Sequence, residues 1–339
     1  MKIIRNTLAL TFILLIAVSN ALSQDIPVLR RLDRVRLAET FRLSEKLGDS
    51  LWPGWSKAPF AVLLITRDKE FLIRHPRPTA DFTSLGYDAR LKSDVYFRDR
   101  KFQTDFLATF PAVGGVSTIV VGQAENTASK TSTPWVITLM HEHFHQLQDS
   151  QPNFFKETEG LNLSRGDQTG MWMLNYPFPY AKPEVSEQFS VLARSLVEAM
   201  DEKTENLFSS RLTAYLEARD ALKKMLGADD YRYMSFQLWK EGMARYTEYR
   251  VAQWAAAKYQ PSREFRDLKD FTTFAAAAEQ VREGIVRELS TLKLPDYKRV
   301  AFYPLGAGEG LLLDRADPKW RTRYFAEKFD NAVYFKGNR

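Results

Sequence analysis

Thr133-Pro134-Trp135-Val136-Ile137-Thr138-Leu139-Met140-His141-Glu142-His143-Phe144-His145-Gln146-Leu147-Gln148 decides how this chain is read. Thr133 suits an N-cap and Pro134 a first helical position. Asp149-Ser150-Gln151-Pro152 supplies a stop, so the pattern predicts a helix from about Thr133 to Gln148. Trp135, Ile137, Leu139, Met140, Phe144 and Leu147 leave little polar surface, as in a helix enclosed by its domain. Histidines and a glutamate inside such a helix need partners, and a metal ion would supply them. The chain has four histidines, and three of them lie between 141 and 145. His141 and His145 are four residues apart and share one helical face, where both can close on one ion. Glu142 follows the first of them and puts a carboxylate beside that ion. His143 points away from this face and reads as a packing residue or as one that supports a ligand from behind.

Working outward, the part before this helix has mixed character. Ile26 to Leu51 reads as a helix stopped by Leu47-Gly48-Asp49 and Pro53-Gly54. Phe60 to Thr66 and Phe71 to Arg74, separated by a polar turn, predict a β-hairpin. Val95-Tyr96-Phe97 and Val116 to Val121 predict further strands. His75, between a strand and Pro76, reads as a turn residue. After the central helix comes a long irregular stretch, Pro152 to Lys182, with Trp172, Tyr176, Phe178 and Tyr180. These aromatics suit loop packing first and a substrate pocket second. Helices are then expected at Pro183–Glu202, Glu205–Leu226, Asp229–Lys258, Phe271–Leu292 and around Gly306–Leu313. The expectation is an α+β fold: residues 24–130 carry a small mixed or antiparallel sheet, and residues 131–339 form a mostly helical part holding the metal site in one catalytic unit.

Residues 1–23 read as a secretory signal. Lys2 and Arg5 precede an apolar run from Leu8 to Val18, and Ala21-Leu22-Ser23 resembles a cleavage site. The expected location is therefore exported, periplasmic or secreted, with no transmembrane span after signal removal. The chain contains no cysteine, so an exported form makes no disulfides and depends on its core and its metal. A formal net charge of +6, with acids and bases interspersed and no basic stripe, gives no case for nucleic acid.

A catalytic zinc site usually has three protein ligands and one open position. The longer pattern H-E-x-x-H-x-x-G-x-x-H fails here: Gln148 and Gln151 stand at its last two marked positions, and no histidine follows His145. The third ligand is then expected to be a carboxylate. His141-Glu142-His143-Phe144-His145 has the zincin signature H-E-x-x-H. Together with Trp239-Lys240-Glu241-Gly242-Met243-Ala244, followed by Glu248 seven residues after Glu241, it resembles the gluzincin (peptidase-MA-like) zinc metallopeptidases. Lys240 replaces the family's usual Asn, and the interval between the motifs is longer than in thermolysin-like members. The resemblance implies one Zn2+ held by His141, His145 and Glu241, with Glu142 as general base and acid. Glu248 would orient a ligand histidine from behind. It implies a tyrosine as oxyanion donor, for which Tyr303 leads and Tyr246 is the alternative. It also implies a peptide or protein substrate lying along an edge strand, for which Val116 to Gly122 is the candidate. The alternative function is a non-proteolytic envelope binding or assembly protein with a structural or vestigial zinc site. Two histidines and a carboxylate can also hold iron.

Overall fold

The computed structural model describes residues 26–338; the signal-like segment 1–23 lies outside the described residues. The chain is α+β. It opens with α1 (Arg31–Leu47), then six strands: β1 (Val62–Ile65), β2 (Lys69–Ile73), β3 (Thr83–Asp88), β4 (Ser93–Asp99), β5 (Leu107–Val113) and β6 (Val116–Gly122). The rest is helical: α2 (Ser132–Asp149), α3 (Phe154–Glu159), α4 (Trp172–Asn175), α5 (Pro183–Asp201), α6 (Glu205–Met225), α7 (Ala228–Gln237), α8 (Met243–Lys258), α9 (Arg263–Arg266), α10 (Phe274–Thr291), α11 (Leu294–Tyr297) and α12 (Phe302–Ala316). No helix among the described residues is long and apolar enough to cross a membrane.

The strands form one mixed sheet in the order β3-β4-β2-β1-β6-β5. Only β1 and β6 run parallel; the other pairs are antiparallel. The alternation of each strand splits its side chains between two faces. Val62, Leu64, Phe71, Ile73, Ile119 and Val121 join the large core beneath α1 and α2, which continues through the helical part to Phe335. Leu63, Ile65, Leu72 and Val120 face the other way, packed by Phe82, Phe102, Phe106 and Phe110.

Gln146 ties α2 to this sheet by donating its amide to the carbonyls of Ala61 (3.0 Å) and Ser117 (2.9 Å). The helix begins one residue before the expected cap. Thr131 is the extended N-cap residue, and Pro134 is the third residue of the helix. Thr133 instead forms a clasp, donating its hydroxyl to the Thr272 carbonyl (2.6 Å) and accepting from the Thr272 N–H (3.2 Å).

The structure departs from the sequence reading in its strands and in its last helices. Val116–Gly122 is not an edge strand, since it lies between β1 and β5; the edge nearest α2 is β5. β5 and β3 escape a pattern search because Pro111 interrupts the first, and the second is largely exposed with a bulge at Gly86 (φ +84°). The expected single helix Asp229–Lys258 contains a π turn at Leu238–Gly242, between α7 and α8. The glycines after Tyr303 lie inside α12, which begins earlier than the expected helix around Gly306–Leu313. A Cβ on Gly306 would stand 2.7 Å from Gly242 Cα, and one on Gly310 would run into the Tyr246 ring. These glycines let α12 cross the π turn and α8 at backbone contact.

Candidate metal centre

His141 and His145 project from α2 toward Glu241, which sits in the π turn. Such turns place an extra residue in a helix and concentrate at functional sites. Gly242 explains the Glu-Gly pairing, because α12 crosses there with no room for a side chain. Nitrogens of both histidines and a carboxylate oxygen of Glu241 lie within 4.8 Å of one another. His145 Nε2 is 3.4 Å from Glu241 Oε2. Ligands each ~2.0–2.1 Å from a tetrahedral ion are separated by roughly 3.3–3.4 Å, so this pair already has the spacing of two ligands on one metal.

The neighbours fix which ring nitrogen of each histidine is free. Gln148 directs its amide nitrogen at the carbonyls of Trp239 (3.3 Å) and Lys240 (3.2 Å), which can only accept. Its Oε1 therefore faces His145 Nδ1 at 2.7 Å, and Nδ1 must carry the proton. On His141, Nδ1 donates to Glu248 Oε1 at 2.7 Å. In the neutral form of both rings Nε2 is the nitrogen with the lone pair, the form a metal requires. Glu248 is held in turn by Arg245 (2.5 Å).

The charged groups at the centre act strongly on one another. Burial works to raise Glu241, but His145, Lys240 and Arg299 together hold it well below the usual carboxylate range. Burial likewise works to lower His141, yet Glu248, Glu142 and Glu241 raise it above its ordinary value. Three enclosed carboxylates around two imidazoles form a donor set that suits a divalent cation. His145, His141 and Glu241 thus fit a metal ion.

Glu142 stands with Oε1 4.0 Å from His141 Nε2, while its Oε2 accepts from the Thr109 hydroxyl at 2.7 Å. Tyr303, in the first turn of α12, has its ring nearly parallel to that of His141, with centroids 6.5 Å apart. Burial and the neighbouring Glu241 push its phenol well above its ordinary value, so it stays protonated; Arg299 opposes this, donating to the Tyr303 oxygen at 2.7 Å. Arg299 is also 3.8 Å from Glu241 Oε1.

Other residues singled out in the sequence lie elsewhere. Tyr246 donates to Asp314 (2.8 Å) and accepts from Arg321, away from the histidines. His143 stacks on Phe60 with centroids 3.8 Å apart, and burial lowers its pKa to about 3, which leaves it neutral. His75 bridges Arg77 N–H and the Val113 carbonyl in a turn. Trp172 packs on Phe236, Tyr176 on Tyr233 and Phe178 on Phe302, so these aromatics are core.

Gln148, Thr109 and Arg299 are the site residues that sequence reasoning missed. Gln148 carried a usable signal: it lies three residues beyond His145, on the same side of a buried helix. Comparison with models of known families, with curated proteins and with solved structures found no match for the chain.

Proposed function

We propose that this chain is an exported zinc-dependent hydrolase that cleaves peptide bonds. The observation that carries the reading is the convergence of three roles on one centre. His141, His145 and Glu241 would hold the ion, the Oε1 of Glu142 is turned toward His141, and the Tyr303 ring lies against His141 with its phenol beside Glu241. A bound zinc would supply Lewis acidity, polarising a carbonyl and bringing the pKa of water toward ~7. A purely structural site needs neither a general base nor a hydroxyl donor, and it closes all four positions with protein ligands.

The residues divide the work by chemistry. Glu142 takes a proton from the attacking water on Oε1 and returns it to the leaving amine. Tyr303 donates its hydroxyl to the oxyanion that develops as the carbonyl is attacked, and Arg299 fixes that phenol by donating to its oxygen. Glu248 and Gln148 keep the two histidines in the ligating tautomer. Peptide is the favoured substrate because an extended chain can pair with β5, the free edge beside Glu142. Export follows from the basic, then apolar, N-terminal segment.

The test is hydrolysis of a peptide library by the zinc-loaded chain and by Glu142→Gln. The expected result is cleavage by the first and a loss of at least ~10²-fold in the second, with zinc content unchanged. If the zinc-loaded wild type cleaves nothing across the library, the peptidase reading fails and a binding or assembly role takes its place.

A further inference from the structure

The register of the edge strand singles out one residue. Ile119 on β6 gives its N–H to the Ala61 carbonyl at the β1 side (3.0 Å), so its backbone groups are turned away from β5. Its partner across the antiparallel ladder is Thr109. Thr109 therefore lies in a non-hydrogen-bonded pair, with its own N–H and C=O turned outward from the sheet. Gly122 N–H donates to the Phe106 carbonyl (2.9 Å), which marks Phe106, and with it Ala108 and Phe110, as the positions bonded to β6. Among the described residues, no backbone partner meets the outward groups of Thr109.

The side chain of the same residue points at the chemistry. Alternation puts Thr109 on the sheet face shared with Ile119 and Val121, beneath α2. There its hydroxyl donates to Glu142 Oε2 at 2.7 Å, with the Glu142 carbonyl 3.2 Å away. A carboxylate has two oxygens and a free torsion. Fixing Oε2 on the strand leaves Oε1 facing His141 Nε2. Among the described residues, the Thr109 hydroxyl is the hydrogen-bond partner that the strand gives the Glu142 carboxylate.

We propose that Thr109 is a positioning residue: its hydroxyl aims the general base Glu142, while its outward backbone groups receive the extended substrate at the same point of the edge strand. One residue would then tie substrate docking to the alignment of the base. The kinetic part of this proposal rests on the peptidase reading; the structural part does not.

The substitution that isolates the hydroxyl is Thr109→Val, which keeps the branched shape and the backbone donors of β5. Thr109→Ser returns the hydroxyl without the methyl. In the zinc-loaded chain, Thr109→Val is expected to lower kcat by ~10- to 100-fold, the scale of a misaligned reacting group, with KM, zinc content and thermal midpoint near wild type. Thr109→Ser should recover most of kcat. Crystal structures of wild type and Thr109→Val give a readout independent of turnover. In the variant the Glu142 carboxylate should leave its wild-type orientation. An unmoved carboxylate, or a wild-type kcat in Thr109→Val, overturns the proposal. If neither protein cleaves any peptide, the peptidase reading fails by itself, and the carboxylate orientation in the two crystals decides the positioning claim alone.

Discussion

Replacing Gln148 by methionine tests the orientation of His145 with little change in volume or backbone preference. Gln148 is fully buried and joins four groups: His145 Nδ1 (2.7 Å), the carbonyls of Trp239 and Lys240, and the Tyr324 hydroxyl (2.8 Å). Tyr324 keeps its own donation to the Trp239 carbonyl (2.5 Å), so that pair survives. His145 Nδ1–H and the Lys240 carbonyl lose the partner that Gln148 provides. At ~1–3 kcal/mol for each stranded group, less the relief of no longer burying an amide, the expected loss of stability is about 2–4 kcal/mol. The metal should weaken as well, by ~10- to 100-fold, because His145 no longer has a fixed tautomer or ring angle. The assay is zinc competition against a chromophoric chelator, alongside thermal melts of zinc-free and zinc-loaded protein. Zinc binds only the folded chain in this scheme, so Gln148→Met should lose more stability in the loaded state than in the free state. A zinc affinity within twofold of wild type would refute the claim that Gln148 orients a ligand.

Three further outcomes are expected. Tyr303→Phe should keep zinc and lower kcat by ~10²–10³-fold, because the phenol is lost only where charge develops; an unchanged kcat in a peptide assay would move the oxyanion donor to another group. Gly306→Ala should destabilise the chain by ~1–3 kcal/mol and weaken zinc, because the added Cβ would stand 2.6 Å from the Leu238 carbonyl and push α12 off the turn carrying Glu241; a variant with wild-type melting and zinc affinity contradicts the backbone crossing. The third outcome concerns pH. Arg77 N–H can only donate, so His75 accepts on Nδ1 and is held neutral, and burial lowers its pKa from 6.5. The unfolded chain takes up that proton near 6.5 and the folded chain resists it. The His75 contribution is therefore complete above 6.5 and is lost as pH falls toward the folded value. Urea midpoints for His75→Gln should fall less between pH 7 and 5 than those of wild type, and equal falls would count against it.

The parts of the site legible in the sequence are those where chemistry forces a spacing. Two histidines one turn apart on a largely apolar helix, with a glutamate beside the first, announce themselves, because both imidazoles share one face. The segment Glu241-Gly242 with Glu248 seven residues on brings two acids to one side of a helix, and His141 and His145 meet them there. The α+β division was also legible, from alternation before residue 130 and helical periodicity after it. What stayed hidden depends on distant partners. Gln148 looks like any helix amide until the carbonyls of Trp239 and Lys240 are brought beside it. Thr109 lies in Leu107-Ala108-Thr109-Phe110-Pro111-Ala112-Val113, where Pro111 and small residues weaken the strand pattern, as suits an edge. The burial of β6 inside the sheet could not be read from its own residues, since strand order is set by what β5 and β1 do. The glycines of α12 look like turn residues in isolation, and only the crossing helix gives them their reason.

Metal content, measured by mass spectrometry on wild type and Glu241→Ala after both are offered zinc, tests the central claim most directly. The account predicts stoichiometric zinc in the wild type and its loss in Glu241→Ala, with the variant still folded by circular dichroism. Zinc retained at the wild-type level in Glu241→Ala would remove Glu241 from the ligand set, and a wild type that binds no metal would contradict the account as a whole.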